Sequence, residues 1–333
     1  MTPRVSIIIG NYNYGRFIEE AIRSVLDQDY AQLELIIVDD GSTDGSRTII
    51  ERLEASSGGR LRALFQENAG VAAARNAGIE MARGEYIGFL DADDVYLKDC
   101  VSSLTAYLDK NPAVAMVYAN SELFDSALSR SLGLWFSRET GHEPCWGHFI
   151  GELFFRGNFI PIHPALLRRK ALDKAGYFNK FYRVGEDWEL WFRMTEHHDV
   201  RYLDRILSKI RRHPGNISAS PLNALIKLWI LRKIMRSNPW LADRFSQPVM
   251  DRYLSYSYYE LGRAMILSGG RRRRRGRMYL WRSFLIRRRM PKSKWLLYLA
   301  LSYIPWTGFV TGLRRLWRSA FPQSGTAKRA MPC

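Results

Sequence analysis

The chain has 333 residues, 47% of them apolar and 25% charged. That balance excludes a disordered or fibrous polymer and leaves room for a full α/β core with a smaller second unit. The formal charge of +17 is unevenly placed: residues 1–222 carry 26 Lys and Arg against 30 Asp and Glu, whereas residues 223–333 carry 24 against 3.

Along the chain, Val5-Ser6-Ile7-Ile8-Ile9 reads as a buried strand. "RFIEEAIRSVLDQ" then places Phe17, Ala21, Ile22, Val25 and Leu26 on one helical face. "LELIIVDD" predicts a second strand ending at Asp39-Asp40, and "GSTDGSRTIIERL" a helix with Ser42 or Thr43 as its N-cap. "LRALFQ" is a weaker third strand. "NAGVAAARNAGIEMARG" predicts an Ala-rich helix closed by Gly84, and "YIGFL" a fourth strand that runs into Asp91-Ala92-Asp93-Asp94. Repeated β-α units with nearly continuous apolar strands imply a mostly parallel sheet with helices on both faces. Ligands of such sheets bind outside the carboxyl ends of the strands. Asn11-Tyr12-Asn13, Asp39-Asp40 and Asp91–Asp94 each follow a strand, so they should converge on one edge.

Two nucleotide fingerprints are missing, G-x-x-x-x-G-K-[ST] and a G-x-G-x-x-G after the first strand. Carboxylates approach a diphosphate only through a divalent cation. Asp39 and Asp40 suit a base imide N–H or ribose hydroxyls, so a nucleoside diphosphate bearing a leaving group fits this edge. Farther on, "GEDWELWF" sets Glu186 and Asp187 just before a helix with Leu190, Trp191 and Met194 at helical spacing. A carboxylate there is favoured by the helix dipole and remains a usable base.

These segments carry a resemblance. "VSIIIGNYNYGRFIEEAIRSVLDQDY", "LELIIVDDGSTDGS", "QENAGVAAARNAGIEMARGEYIGFLDADD" and "VGEDWELWFRM", in this order across residues 4–215, resemble the family 2 glycosyltransferases of the GT-A fold. One departure is Gly10-Asn11, where many members carry Pro-Thr. The resemblance implies that Tyr12 and Asp39 lie against the nucleobase, with Asn13 and Asp40 beside them, and that Arg75 faces the nucleotide. Asp91 would contact ribose or a metal-bound water, and Asp93 would ligate Mn²⁺ or Mg²⁺. Asp187 would be the general base, assisted by Glu186. Trp188 carries two readings, stacking on a sugar or lipid headgroup of the acceptor, or a core position at helical spacing. His213 of "IRRHPGNIS", after an expected edge strand, would join the diphosphate or metal, whereas His142, His148 and His163 form no ligand spacing. The implied reaction is inverting transfer of a sugar from a nucleoside-diphosphate donor, UDP-linked by preference, to a saccharide or lipid-linked saccharide of the cell envelope. The competing reading is a non-catalytic, membrane-associated binding protein that retained the fold.

The last third differs in chemistry. Residues 223–290 read as Arg-rich helices, with "GGRRRRRGR" at Gly269–Arg277. Trp295–Val310 follows, sixteen residues without charge, interrupted by Pro305. A helix of that length reaches about 24 Å, short of the roughly 30 Å hydrocarbon core. Aromatic residues beside cations suggest a helix lying in the headgroup region, with burial in the small domain and a true span left open. The expected organisation is a catalytic domain at 1–222, a basic helical region at 223–320 that meets an anionic membrane surface through 271–318, and a disordered tail at 321–333. No nucleic acid is expected, because the Arg run neighbours an aromatic-aliphatic stretch and no base-reading motif. Cys100, Cys145 and Cys333 are scattered and odd in number, and no secretion signal precedes the first strand. The expected location is the cytoplasmic face of the inner or plasma membrane, with peripheral attachment.

Overall fold

The computed structural model describes residues 2–137, 158–182, 184–213, 247–267 and 272–286, with short pieces between 228 and 236. The chain divides into two compact units, one reaching Asn216 and one following it.

In the first unit, β1 (Val5–Asn11), β2 (Leu33–Asp39), β3 (Leu61–Phe65) and β4 (Tyr86–Asp91) alternate with α1 (Ile18–Leu26), α2 (Ser46–Ser56) and α3 (Val71–Met81). β1 lies between β2 and β4, β3 adds outside β2, and all these pairings are parallel. The register sets Asn11 beside Asp39 and Gly10 beside Asp91. The three polar clusters therefore meet at one sheet edge. β1 and β2 are buried along nearly their whole length because both faces are covered, and Ile7, Ile9, Leu35 and Ile37 join Ile18, Ile22, Val25 and Ile50 in one core. α3 comes so close to β1 that a Cβ on Gly78 would lie 2.4 Å from Ile8 Cγ2.

Two expected termini shift. α2 starts at Ser46 after Gly45, because Ser42 and Thr43 bond back to the loop after β1. α3 ends at Met81, ahead of Gly84.

The remaining elements are β5 (Val95–Tyr96), α4 (Cys100–Lys110), β6 (Val114–Phe124), β7 (Ser131–Leu134), β8 (Ala165–Arg168), α5 (Arg169–Ala175), α6 (Glu186–His197) and β9 (Asp199–Arg211). Here the sheet becomes mixed. β8 runs antiparallel between β4 and β6, and β9 runs parallel to β6, giving the order β3-β2-β1-β4-β8-β6-β9-β5 with β7 on β6. β9 is thus not an edge strand, since β5 pairs its other side. That placement aims the residues just after β9 at the end of β4.

In the second unit, α7 (Gln247–Leu267) and α8 (Arg272–Ile286) pack on each other. Ser255 Oγ donates to Ser283 O at 2.9 Å, while Gly262 and Gly276 cross so closely that a Cβ on either would lie 2.9 Å from the other's carbonyl oxygen. The two contacts occur in opposite chain order, so the helices are antiparallel. Leu228, Tyr258 and Leu261 form the small core. Among the described residues, no helix is long and apolar enough to cross a membrane. Trp295–Val310 and the expected tail lie outside them.

Candidate functional site

The ends of β1 and β2 build one wall. Asn11 Nδ2 donates to Asp39 Oδ2 at 2.7 Å and to Ser42 Oγ at 3.1 Å. Its Oδ1 is buried with no hydrogen-bond partner, an uncommon condition for a buried amide. Asp39 Oδ1 accepts the Ser42 N–H, so each Asp39 oxygen keeps a lone pair for a further donor. Tyr12 stands beside them 47% exposed, its ring free for stacking. Asn13, at φ 58°, spends its amide on Thr43 N–H and its backbone N–H on Ser42 Oγ, so it shapes the loop.

Asp40 faces the loop before α3. It is buried; Oδ1 accepts from Gln66 Nε2 and from the Ala69 N–H, and Oδ2 from the Gly70 N–H. Three bonds at 2.7–2.8 Å tie it to the loop before α3. These bonds hold that loop.

The end of β4 carries the acids into different surroundings. Asp94 is buried, with Oδ2 2.8 Å from His163 Nε2 and Oδ1 accepting the Arg211 N–H at 2.6 Å. Arg211 also donates to Asp93 O, Ser126 O and Glu20, fastening the turn to β9. Asp93 Oδ2 lies 2.9 Å from His213 Nε2. Burial, then the like charges of Asp94 and Asp91, push the Asp93 carboxyl well above the usual carboxylate range. Burial holds the His213 imidazole below its ordinary value, which favours the neutral form that binds metals. At His163, burial is outweighed by the Asp94 bond and the surrounding acids, and the pKa rises.

A divalent cation suits this donor set. Buried carboxylates that repel each other beside a neutral imidazole are short of positive charge. Asp91, Asp94 and His163 also offer ligand atoms all within 4.8 Å of one another. Asp94 has both oxygens engaged, Oδ2 by His163 and Oδ1 by the Arg211 N–H, so Asp93 with His213, and the 39%-exposed side chain of Asp91, are the better-placed ligands.

The third wall joins α3, the end of β4 and the start of α6. Arg75, buried on α3, donates Nη2 to Asp91 Oδ1 at 2.7 Å and Nη1 to Glu186 Oε1 at 2.5 Å, with its guanidinium over the Phe178 ring. Burial opposes its charge, but Asp91, Glu186 and Asp187 together raise its pKa. Arg75 is therefore a bridge between two acids, and its fork is already engaged. α6 starts after Gly185, at φ 78°, with no side-chain cap. Asp187 Oδ1 accepts the Trp188 N–H at 2.8 Å and Oδ2 accepts from Asn158 Nδ2 at 2.6 Å. Burial and then the adjacent Glu186 push the Asp187 carboxyl up to about 7, against the pull of Arg75.

Trp188 is only 3% exposed, which agrees with the core reading of its helical spacing. Nearby, Asn179 pins a turn that leaves Phe181 85% exposed. Three residues of the site escaped the sequence reading: His163, Arg211 and Asn158. His163 had one faint signal, a histidine inside the apolar run "FIPIHPALL".

A family model, "Glycosyl transferase family 2", matches residues 6–176. The putative teichuronic acid biosynthesis glycosyltransferase TuaG of Bacillus subtilis is 38% identical over 149 residues, 39% of this chain and 59% of that protein. The chain spans 29% of an uncharacterized glycosyltransferase of Nostoc, 34% and 38% of those of Rickettsia conorii and Rickettsia felis, and 69% of those of Rickettsia typhi and Rickettsia prowazekii. Among solved structures, S. aureus TarS 1–349 in complex with UDP-GlcNAc superposes with a TM-score of 0.61 at 18% identity, covering 86% of this chain and 81% of that one. The mannosyltransferase PcManGT from Pyrobaculum calidifontis, in complex with GDP-Man and Mn²⁺, gives 0.58 at 18% identity, covering 95% and 88%. At such identity these two structures speak for the fold, the GT-A arrangement.

Proposed function

The chain belongs to glycosyl transferase family 2, and from that premise we propose that it transfers a sugar, with inversion, from a nucleoside-diphosphate donor to a hydroxyl of a saccharide or lipid-linked saccharide in envelope polysaccharide synthesis. The observation that carries this reading is the continuous link Asp91–Arg75–Glu186 beside Asp187. It fixes a base on the acceptor side to an acid on the donor side.

Tyr12, Asn11 and Asp39 receive the base, where the orphan Asn11 Oδ1 and the open lone pairs of Asp39 call for donors. UDP is preferred because a uracil imide N–H supplies such a donor. Asp93 and His213 would hold Mn²⁺ or Mg²⁺, with Asp91 close by, and the cation when bound neutralises charge on the departing diphosphate. Arg211 and His163 fix the turn that presents Asp93. Asp187 takes the proton from the acceptor hydroxyl at its Oδ2, the oxygen that Asn158 orients. Glu186 stays on Arg75, so it holds the start of α6 and adds negative charge beside the base. The family relative named for teichuronic acid biosynthesis supports a polysaccharide acceptor.

The test is a panel of UDP- and GDP-sugars with Mn²⁺ or Mg²⁺, read as nucleotide release with and without saccharide acceptors. Turnover is expected to need the metal and to fall at least about 100-fold in Asp187→Ala, within the range typical of general-base removal. Asp93→Ala should lose the metal response. Full activity in both variants would overturn the reading, and donor binding without any turnover would favour a non-catalytic protein.

A further inference from the structure

The second unit presents a face whose chemistry the transfer reaction does not use. α8 contains six arginines and no acid over Arg272–Ile286. Its inner side is settled by contacts: Gly276 and Leu280 lie against Gly262, and Ser283 bonds Ser255, all on α7. Gly276, Leu280 and Ser283 are buried.

The outer side is open. Met278 is 42% exposed, Trp281 46% and Leu285 64%, and Arg274, Arg275 and Arg282 are exposed with them. With 3.6 residues per turn these six side chains fall within about 120° of arc. Met278, Trp281 and Leu285 form its apolar strip, with Arg274 in line toward the helix start and Arg275 and Arg282 along one flank. Large apolar side chains in a strip normally face a core. Here the core side is already occupied by α7.

A second observation concerns where the charge sits. Arg272, Arg273, Arg274 and Arg275 occupy the first turn of α8, the end where the helix dipole disfavours cations. No acid lies in that turn, and Arg274 and Arg275 are exposed there. Such crowding is relieved by an external anionic surface, and counterions alone would leave the apolar strip in water.

We propose that the outward face of α8 docks on an anionic lipid surface, with Trp281, Met278 and Leu285 entering the headgroup–acyl boundary and the arginines contacting lipid phosphates. A lipid surface satisfies both halves of the face at once. A nucleic acid would engage the arginines and leave the strip unused. The docking stands independently of sugar transfer, so failure of one does not decide the other.

The experiment uses the full chain and sedimentation with vesicles of phosphatidylcholine alone or with 30 mol% phosphatidylglycerol, a composition chosen at about the anionic level that draws basic segments. Binding to the anionic vesicles should be at least about tenfold tighter and should weaken with salt. Arg274→Glu/Arg275→Glu/Arg282→Glu should abolish it. Leu285→Ser, at so exposed a position that folding is not at risk, should weaken it several-fold at low salt, and Trp281→Ser likewise. Equal binding to neutral vesicles, or wild-type binding by the charge-reversed variant, would overturn the assignment. So would unchanged lipid binding in both apolar variants together with equally tight binding to duplex DNA, which would mark a general polyanion site.

Discussion

Asp187 is poised by opposed effects. Burial and the neighbouring Glu186 favour its protonated form, while Arg75, the Trp188 N–H and Asn158 favour the carboxylate, and the balance lies at about 7. A base must be ionised to act, so activity should fall as pH drops through that value. The acid limb of kcat/KM is expected near pH 7. Asn158 donates to the ionised oxygen at 2.6 Å, so removing it takes away support for the charged form and the pKa must rise. Asn158→Ala should therefore move the acid limb up by about one unit, the scale of one charge-assisted hydrogen bond, with donor KM little changed. A limb that stays in place or moves down would show that a different group titrates. At this scale the histidines and acids also sort by company. Asp94 and His163 are spent on each other, whereas Asp93 and His213 meet at the position where β4 and the end of β9 converge.

At the scale of elements, that convergence depends on how closely β4 is drawn against β1. Gly84, between α3 and β4, lies where a Cβ would come within 2.7 Å of Ser6 N and 2.8 Å of Val5 C. Both are backbone atoms and cannot swing aside. Gly84 N–H also donates to Ser6 Oγ, which in turn donates to the buried Glu34. Gly84→Ala should destabilise by about 2–3 kcal/mol, the overpacking range, measurable as a lower urea midpoint. A midpoint within error of wild type would mean the strands separate easily. The first four strands were legible in the sequence because their signal is local: apolar runs, each ended by polar residues, with helical spacing between. The far half was not, because its pairings join distant segments. Tyr86 meets Arg168, and β9 enters between β6 and β5 without any mark in its own residues. The same division runs through the site. Asp39, Asp91 and Asp93 were readable as strand-end acids, while His163 reaches Asp94 across 69 residues and Asn158 reaches Asp187 across 29. Trp188 shows the limit of periodicity, since core and exposed aromatics can share one spacing.

For the molecule as a whole, the acid cluster at the end of β4 costs stability that a bound cation returns. The Asp93 carboxyl has its pKa raised from 3.8 to about 8 in the folded protein. A raised pKa means the folded state holds the proton more tightly than the unfolded chain does. The stability it contributes is then fully present below about 4, the unfolded value, and is lost as pH rises through about 8. Without metal, the melting temperature should therefore fall between pH 5 and pH 8. Mn²⁺ binds the ionised form, so it should raise the melting temperature more at pH 8 than at pH 5. At 100 times its dissociation constant the gain is about 2.7 kcal/mol, or several degrees for a chain of this size. Asp93→Asn removes the buried charge and with it the reason for the cation. The variant should melt higher than wild type in EDTA at pH 8, respond little to Mn²⁺, and transfer no sugar. A stability gain coupled to lost activity is the signature of a site whose repulsion is kept for function. If Asp93→Asn instead melts lower in EDTA and keeps the Mn²⁺ response, the cation is held by Asp91, Asp94 and His163, and Asp93 supports the turn.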